Sequence, residues 1–233
     1  MRILVTGGTG LVGRAAAQAL RERGHDVRAL ARHSPDSRLD AIDGVEYREG
    51  DVADAGSLGG ACDDCEVVVH AAAVVHSPDG DATLEAINVG GTEQLLAEAM
   101  RAGVRRVVYV SSLGAERGAT SYHRSKLASE RLVQHGAHEW IVLRPGNVYG
   151  PGESHLARFM HAMRTWPAVP VPGDPDRRFQ PIWIEDLAAC IATAVERPDL
   201  CGRTFELVGP ESVSMRELHE WVGAIVGRRP PLV

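Results

Sequence analysis

The chain predicts an α/β fold: a doubly wound parallel sheet with a small C-terminal lobe. Three observations predict it. Short apolar runs alternate with helical patterns through the first 150 residues, as strand–helix–strand crossovers require. Runs such as Val67-Val-Val69 and Val107-Val-Tyr-Val110 are apolar throughout, which suits strands covered on both faces. After Gly150 the texture changes, and Pro151, Pro167, Pro170, Pro172, Pro175 and Pro181 crowd one region, the mark of a looped segment. The expected organisation is a sheet domain over 1–150 and a small, incomplete lobe over 151–233, interleaved with the sheet.

In order, residues 2–6 read as a strand and 11–23 as a helix ended by Gly24. Strands follow at 27–31 and 45–49, then a short helix at 57–61 and a buried strand at 67–72. Residues 88–103 form a long helix with Leu95, Leu96, Ala99 and Met100 on one face. A strand at 107–111, a helix at 122–135 and a strand at 140–144 complete the first part. Beyond it, helices are expected at 155–164, 186–196 and 215–226, with a strand at 204–208. Ser214 is the expected N-cap of the last helix, and Glu217 stands where a capping box needs it.

The 233 residues suffice for one large domain, or one domain with a small appendage. Hydrophobic content of 44% and charged content of 24% describe an ordinary soluble globule. A net charge of −6 argues against broad attraction to nucleic acid or anionic membranes. The longest apolar run, 67–75, is strand-sized and interrupted by His70, so no membrane span is expected. The chain opens directly on a strand pattern without a secretion leader, and the expected compartment is the cytoplasm. Cys62 and Cys65 have the spacing of a redox or zinc half-site, but no second pair exists and acids lie between them, which raises a thiol pKa. No metal site is expected.

Gly7-Gly-Thr9-Gly10-Leu11-Val12-Gly13 follows the first strand and opens the first helix. That context suits a dinucleotide cradle: Gly7 for the tight turn, Gly10 for close approach of a pyrophosphate, Gly13 for helix–strand packing. The second strand ends Ala31-Arg32 where an NAD site usually carries an acid. Arg32 could instead meet a 2′-phosphate, so NADP(H) is favoured, with NAD(H) the alternative. Asp51-Val52 offers an acceptor for an adenine amino group, and Ala71, Ala72 and Ala73 leave room for backbone beside a cofactor. Pro145, Gly146, Asn147 and Val148 bring backbone near a nicotinamide. His70 reads as a core histidine that serves the fold.

The chain contains one lysine, Lys126, four residues after Tyr122. On a helix the two share a face, where an ammonium can lower a phenol's pKa from about 10 toward working pH. Ser111 and Ser112 end the fifth strand, and strand carboxyl ends are where ligands sit in a parallel sheet. Ser112, Tyr122 and Lys126 are the candidate catalytic set, with either serine open to a turn-capping role. Tyr149 has no lysine four residues on and is not read as a proton donor.

Together, Thr-Gly-Gly-Thr-Gly-Leu-Val-Gly, His-Ala-Ala-Ala, Asn-Val-Gly-Gly-Thr, Tyr-x-x-x-Lys and Leu-Arg-Pro-Gly-Asn-Val-Tyr-Gly-Pro-Gly resemble the extended and atypical short-chain dehydrogenase/reductases of the NAD-dependent epimerase/dehydratase type. The match covers essentially the whole chain. Pro172-Gly-Asp, Arg178-Phe-Gln-Pro-Ile-Trp-Ile-Glu-Asp and Gly202-Arg-Thr-Phe-Glu-Leu-Val-Gly-Pro look like the atypical branch akin to the nucleotide-binding accessory subunit of respiratory complex I. The resemblance implies a Rossmann-type sheet and a substrate lobe that in most members runs beyond residue 233. It also implies an oxidoreductase or epimerase in which Tyr122 is general acid/base, Lys126 holds the ribose hydroxyls and Ser112 fixes the substrate oxygen. A nucleotide sugar is the specific substrate class suggested, with Arg177 and Arg178 as diphosphate contacts. The alternative is a non-catalytic NADP(H)-binding structural or sensor protein. Look-alike proteins commonly pair through the helices that carry Asn88 and Tyr122, which leaves a homodimer open.

Overall fold

The computed structural model describes residues 1–35, 41–171 and 173–233, without the side chains of residues 154 and 155. Pro172, singled out above, lies outside the described residues. The chain forms two compact units, residues 1–145 with 185–207 and residues 146–184 with 208–233.

The first unit is built on seven parallel strands. They are β1 (Arg2–Thr6), β2 (Asp26–Ala31), β3 (Val45–Glu49), β4 (Val67–His70), β5 (Arg106–Val110), β6 (Glu139–Pro145) and β10 (Arg203–Leu207). Their order is β10-β6-β5-β4-β1-β2-β3. The chain winds outward from β1 through β2 and β3, then restarts at β4 on its other side. β1 and β4 therefore flank the switch point where such sheets bind ligands. The central strands are sealed: Ile3, Leu4, Val5, Val68, Val69 and Val108 are fully buried. Each such burial contributes about 1.5–3 kcal/mol, which is why the runs read as continuous apolar sequence.

The helices of this unit are α1 (Leu11–Glu22), α2 (Ala55–Leu58), α3 (Asp81–Glu85), α4 (Gly91–Arg101), α5 (Ser121–Gly136) and α7 (Ile184–Glu196, from Glu185 onward). The long helix expected over 88–103 starts earlier, at Asp81, and passes through a π-helical turn at Ala86–Gly90 before α4. On α4, Leu95 and Ala99 are buried as expected, whereas Met100 is exposed. The stripe facing the core is centred on 95 and 99, so position 100 falls on its flank. Cys62 and Cys65 are buried, and burial pushes the Cys62 thiol up to about 12.

The second unit holds β7 (Val148–Tyr149) parallel to β9 (Ile182–Trp183), β8 (Arg178–Phe179) antiparallel to β11 (Val213–Ser214), α6 (Ser154–Thr165) and α8 (Met215–Val226). Its core gathers Ala162, Met163, Val169 and Val222. The capping box at α8 is complete: Glu217 N–H donates to Ser214 Oγ, and Ser214 N–H to the Glu217 carboxylate. Among the described residues, no helix is long and apolar enough to cross a membrane.

Candidate active site

The turn from β1 into α1 lies at the switch point. Gly7 has φ +70°, which favours glycine. A Cβ there would lie 3.0 Å from the Ala72 backbone, so the Gly7 and Ala72 chains touch. A Cβ on Gly13 would sit 2.2 Å from the Gly7 carbonyl oxygen. Thr9 and Gly10 are exposed, and Gly10 caps α1 without any side-chain bond to its first turn. The N–H groups at the start of a helix lack intrahelical partners. Here they belong to Leu11, Val12 and Gly13, no acid stands in the first turn, and the helix dipole adds positive charge. This cradle fits a pyrophosphate.

A hydrogen-bond chain fixes the opposite wall. Ala71 and Ala72 N–H donate to Thr6 Oγ1 at 3.2 and 3.1 Å. With its two lone pairs taken, Thr6 donates its own proton to His70 Nδ1 at 2.8 Å. His70 Nε2–H then donates to Thr92 Oγ1 at 3.0 Å, and Thr92 donates to the Asn88 carbonyl at 2.6 Å. This network accommodates only the neutral imidazole. Burial, aided by the Lys126 charge, accordingly pushes the His70 pKa down to about 3.

The unfolded chain binds a proton at His70 below about pH 6.5, while the folded chain resists it until about 3. The stability due to His70 is therefore whole above about 6.5 and is lost as pH falls toward 3, by about 1.4 kcal/mol per pH unit. Urea midpoints between pH 7 and 4 should fall more steeply for the wild type than for His70→Gln. Parallel slopes would mean that folded His70 takes up the proton.

Ser112, Tyr122 and Lys126 come from the end of β5 and the first turns of α5. Thr120 caps α5 by accepting from His123 N–H. Tyr122 is half-buried, and burial raises its pKa while a hydrogen bond with Ser112 opposes the rise. Lys126, 1% exposed, places Nζ 4.3 Å from the centroid of the Tyr109 ring. Burial pushes the amine down to about 7, against the pull of Glu130. The ring face favours the ammonium. Of the two serines, Ser112 meets Tyr122, whereas Ser111 is buried and donates to Glu130.

Arg32 is exposed just after β2. Asp51 accepts from Ala53 N–H at 2.9 Å, and Val52 packs on Gly91. Ala73 is exposed beyond β4 and Pro145 ends β6 in the first unit; Gly146, Asn147 and Val148 belong to the second. Arg178 bonds Ser212 and forms an ion pair with Glu217 at 3.1 Å. Tyr109, Asn88, Glu130 and Arg144 were not among the expected site residues. Asn88 accepts from Val74 N–H, and its amide donates to the Val74 carbonyl and to Ser125 Oγ on α5. The spacing Tyr122, Lys126, Glu130 repeats every four residues on one helix face, a signal that could have found Glu130.

Sheet order and the glycine cradle at its switch point define a Rossmann-type, dinucleotide-binding class of protein. Within that class, the chain belongs to the NAD dependent epimerase/dehydratase family, whose model matches residues 3–208. It is 34% identical to a 3 beta-hydroxysteroid dehydrogenase/Delta 5→4-isomerase of Mycobacterium tuberculosis, over 67% of this chain and 50% of that protein. It is 33% identical to sterol demethylase protein B of Methylococcus capsulatus, over 99% of this chain and 76% of that one. The chain thus spans half the length of the first relative. A short-chain dehydrogenase/reductase superfamily protein of Agrobacterium tumefaciens, solved with bound NAD, superposes with a TM-score of 0.82 at 26% identity, covering 100% of this chain and 84% of that one.

Proposed function

We propose that the protein is an NAD(P)-dependent oxidoreductase that interconverts a secondary alcohol and a ketone, with Tyr122 as general acid/base. The observation that carries this reading is the placement of Ser112, after the carboxyl end of β5, beside Tyr122 in the first turn of α5, with the only lysine one turn further along α5. In the reducing direction Tyr122 gives its proton to the carbonyl oxygen while Ser112 donates a hydrogen bond to the same atom. In the oxidising direction the phenolate takes the alcohol proton. A bound nicotinamide supplies or accepts the hydride. Lys126, as ammonium, favours the phenolate and holds the ribose hydroxyls. Leu11, Val12 and Gly13 would hold the pyrophosphate, and Arg32, exposed just after β2, would meet a 2′-phosphate, which favours NADP(H) over NAD(H).

A bulky apolar alcohol or ketone of the steroid kind fits better than a nucleotide sugar. The relatives at 33–34% identity are named for steroid and sterol chemistry. Arg178, one of the two arginines expected to hold a diphosphate, is engaged by Ser212 and Glu217. A non-catalytic binder would have no use for a serine hydroxyl beside the tyrosine. The test is a turnover panel of hydroxysteroids, ketosteroids and UDP-sugars, run in parallel with NADP(H) and NAD(H). Turnover of a steroid-type alcohol or ketone is expected; turnover confined to UDP-sugars would overturn the substrate assignment, and silence across the panel with tight cofactor binding would favour the binder.

A further inference from the structure

Behind the Ser112–Tyr122 pair lies a charged cluster that the proposed chemistry does not use. Glu130, 1% exposed, stands one turn beyond Lys126 on α5. Arg144 on β6 grips it with two nitrogens, Nε to Oε1 at 3.0 Å and Nη2 to Oε2 at 2.8 Å. Ser111 donates its hydroxyl to the same carboxylate. The third guanidinium nitrogen of Arg144 reaches Glu116 at 2.8 Å, in the short 3₁₀ turn Ala115–Arg117 that follows the serines.

A buried ion pair is poor value as a source of stability, because desolvation of the charges offsets most of their attraction. A two-pronged arginine–carboxylate bond does, however, fix direction as well as distance. This one joins the end of β5, the helix α5 and the end of β6, the segments that carry Ser112, the Tyr122–Lys126 pair and Pro145. We propose that Glu130 and Arg144 are positioning residues: their pair locks α5 on the sheet so that Tyr122 meets Ser112, and the Glu130 charge sustains the Lys126 ammonium.

The groups around Lys126 support this. From β5 comes the Tyr109 ring, kept un-ionised by burial, and from β4 comes His70, held neutral. On α5 itself stand Tyr122 and Glu130. Among the described residues, Glu130 is the one charged group shown to favour the ammonium, beside the Tyr109 ring face.

The inference rests on the proposed function, but its first readout does not. Because Lys126 is the only lysine, labelling the full chain with [13Cε]lysine gives one side-chain signal whose titration is followed by NMR. Glu130→Gln is expected to move the midpoint of that titration to lower pH and to lower kcat by about 10- to 100-fold, with cofactor Kd changed by less than about threefold. Arg144→Lys keeps both charges but loses the two-pronged grip. It is expected to lower kcat by about tenfold while leaving the Lys126 midpoint in place, and it carries the test if Glu130→Gln does not fold. An unmoved Lys126 midpoint in folded Glu130→Gln would overturn the charge role, and wild-type kcat in Arg144→Lys would overturn the positioning role. If Tyr122→Phe proves fully active, the catalytic reading fails, and the Lys126 titration still judges the charge role independently.

Discussion

Tyr122→Phe is expected to lower kcat by about 10²- to 10⁴-fold, the range that a positioned general acid/base contributes. The substitution deletes one oxygen and keeps the ring. Helix α5 loses no cap, since Thr120 performs that task, and the Lys126 amine keeps its seat over Tyr109. Cofactor affinity should therefore stay within about threefold and thermal stability within a few degrees of the wild type. Steady-state kinetics combined with a fluorescence titration of NADPH checks both halves. Wild-type turnover in Tyr122→Phe would mean that another group moves the proton, and the proposed chemistry would fall. A matching loss of cofactor binding would instead make the hydroxyl part of the binding surface.

The second large effect is expected at the cradle, where two glycines should fail in different ways. Gly13 is buried, and an added Cβ would lie 2.2 Å from the Gly7 carbonyl oxygen and 2.6 Å from its carbonyl carbon. Both obstacles are backbone, so the start of α1 must lift from β1. Gly13→Ala should cost about 1–3 kcal/mol, as overpacking does, and should weaken cofactor binding because Leu11 and Val12 N–H move with the helix. Gly10 is exposed with φ −79°, and its added Cβ would meet only the Gly7 oxygen, at 3.2 Å. Gly10→Ala should fold almost normally yet bind NADPH at least about tenfold more weakly, because the methyl group would stand where a pyrophosphate must approach. Urea unfolding and NADPH titration of both variants separate the two effects. Full cofactor affinity in Gly10→Ala would place the pyrophosphate elsewhere.

Some of the site was legible before any coordinates because its determinants are local. The Gly7–Gly13 spacing, the Tyr122–Lys126 interval and the Ser214–Glu217 capping box each lie within one turn or two, and helix geometry alone puts those residues on a common face or end. Continuous apolar runs likewise announced strands buried on both sides. The start of the long helix was less legible, because the π-helical turn at Ala86–Gly90 depends on what the freed Asn88 carbonyl meets: the hydroxyls of Thr92 and Ser129, the latter 41 residues away.

The amino-acid sequence by itself determined the class of fold, the cradle at the end of β1 and the helix face bearing Tyr122 and Lys126, since each follows from periodicity or short-range sterics. Only the tertiary structure decided the division of labour between Ser111 and Ser112, the seating of Lys126 over Tyr109, the enclosure of Glu130 by Arg144, and the return of residues 185–207 to the first unit. These arrangements join segments well separated along the chain. Which serine meets a tyrosine and which meets a carboxylate is settled by how β5, β6 and α5 pack, because a buried charge or hydroxyl must find its partner wherever the fold brings one within reach.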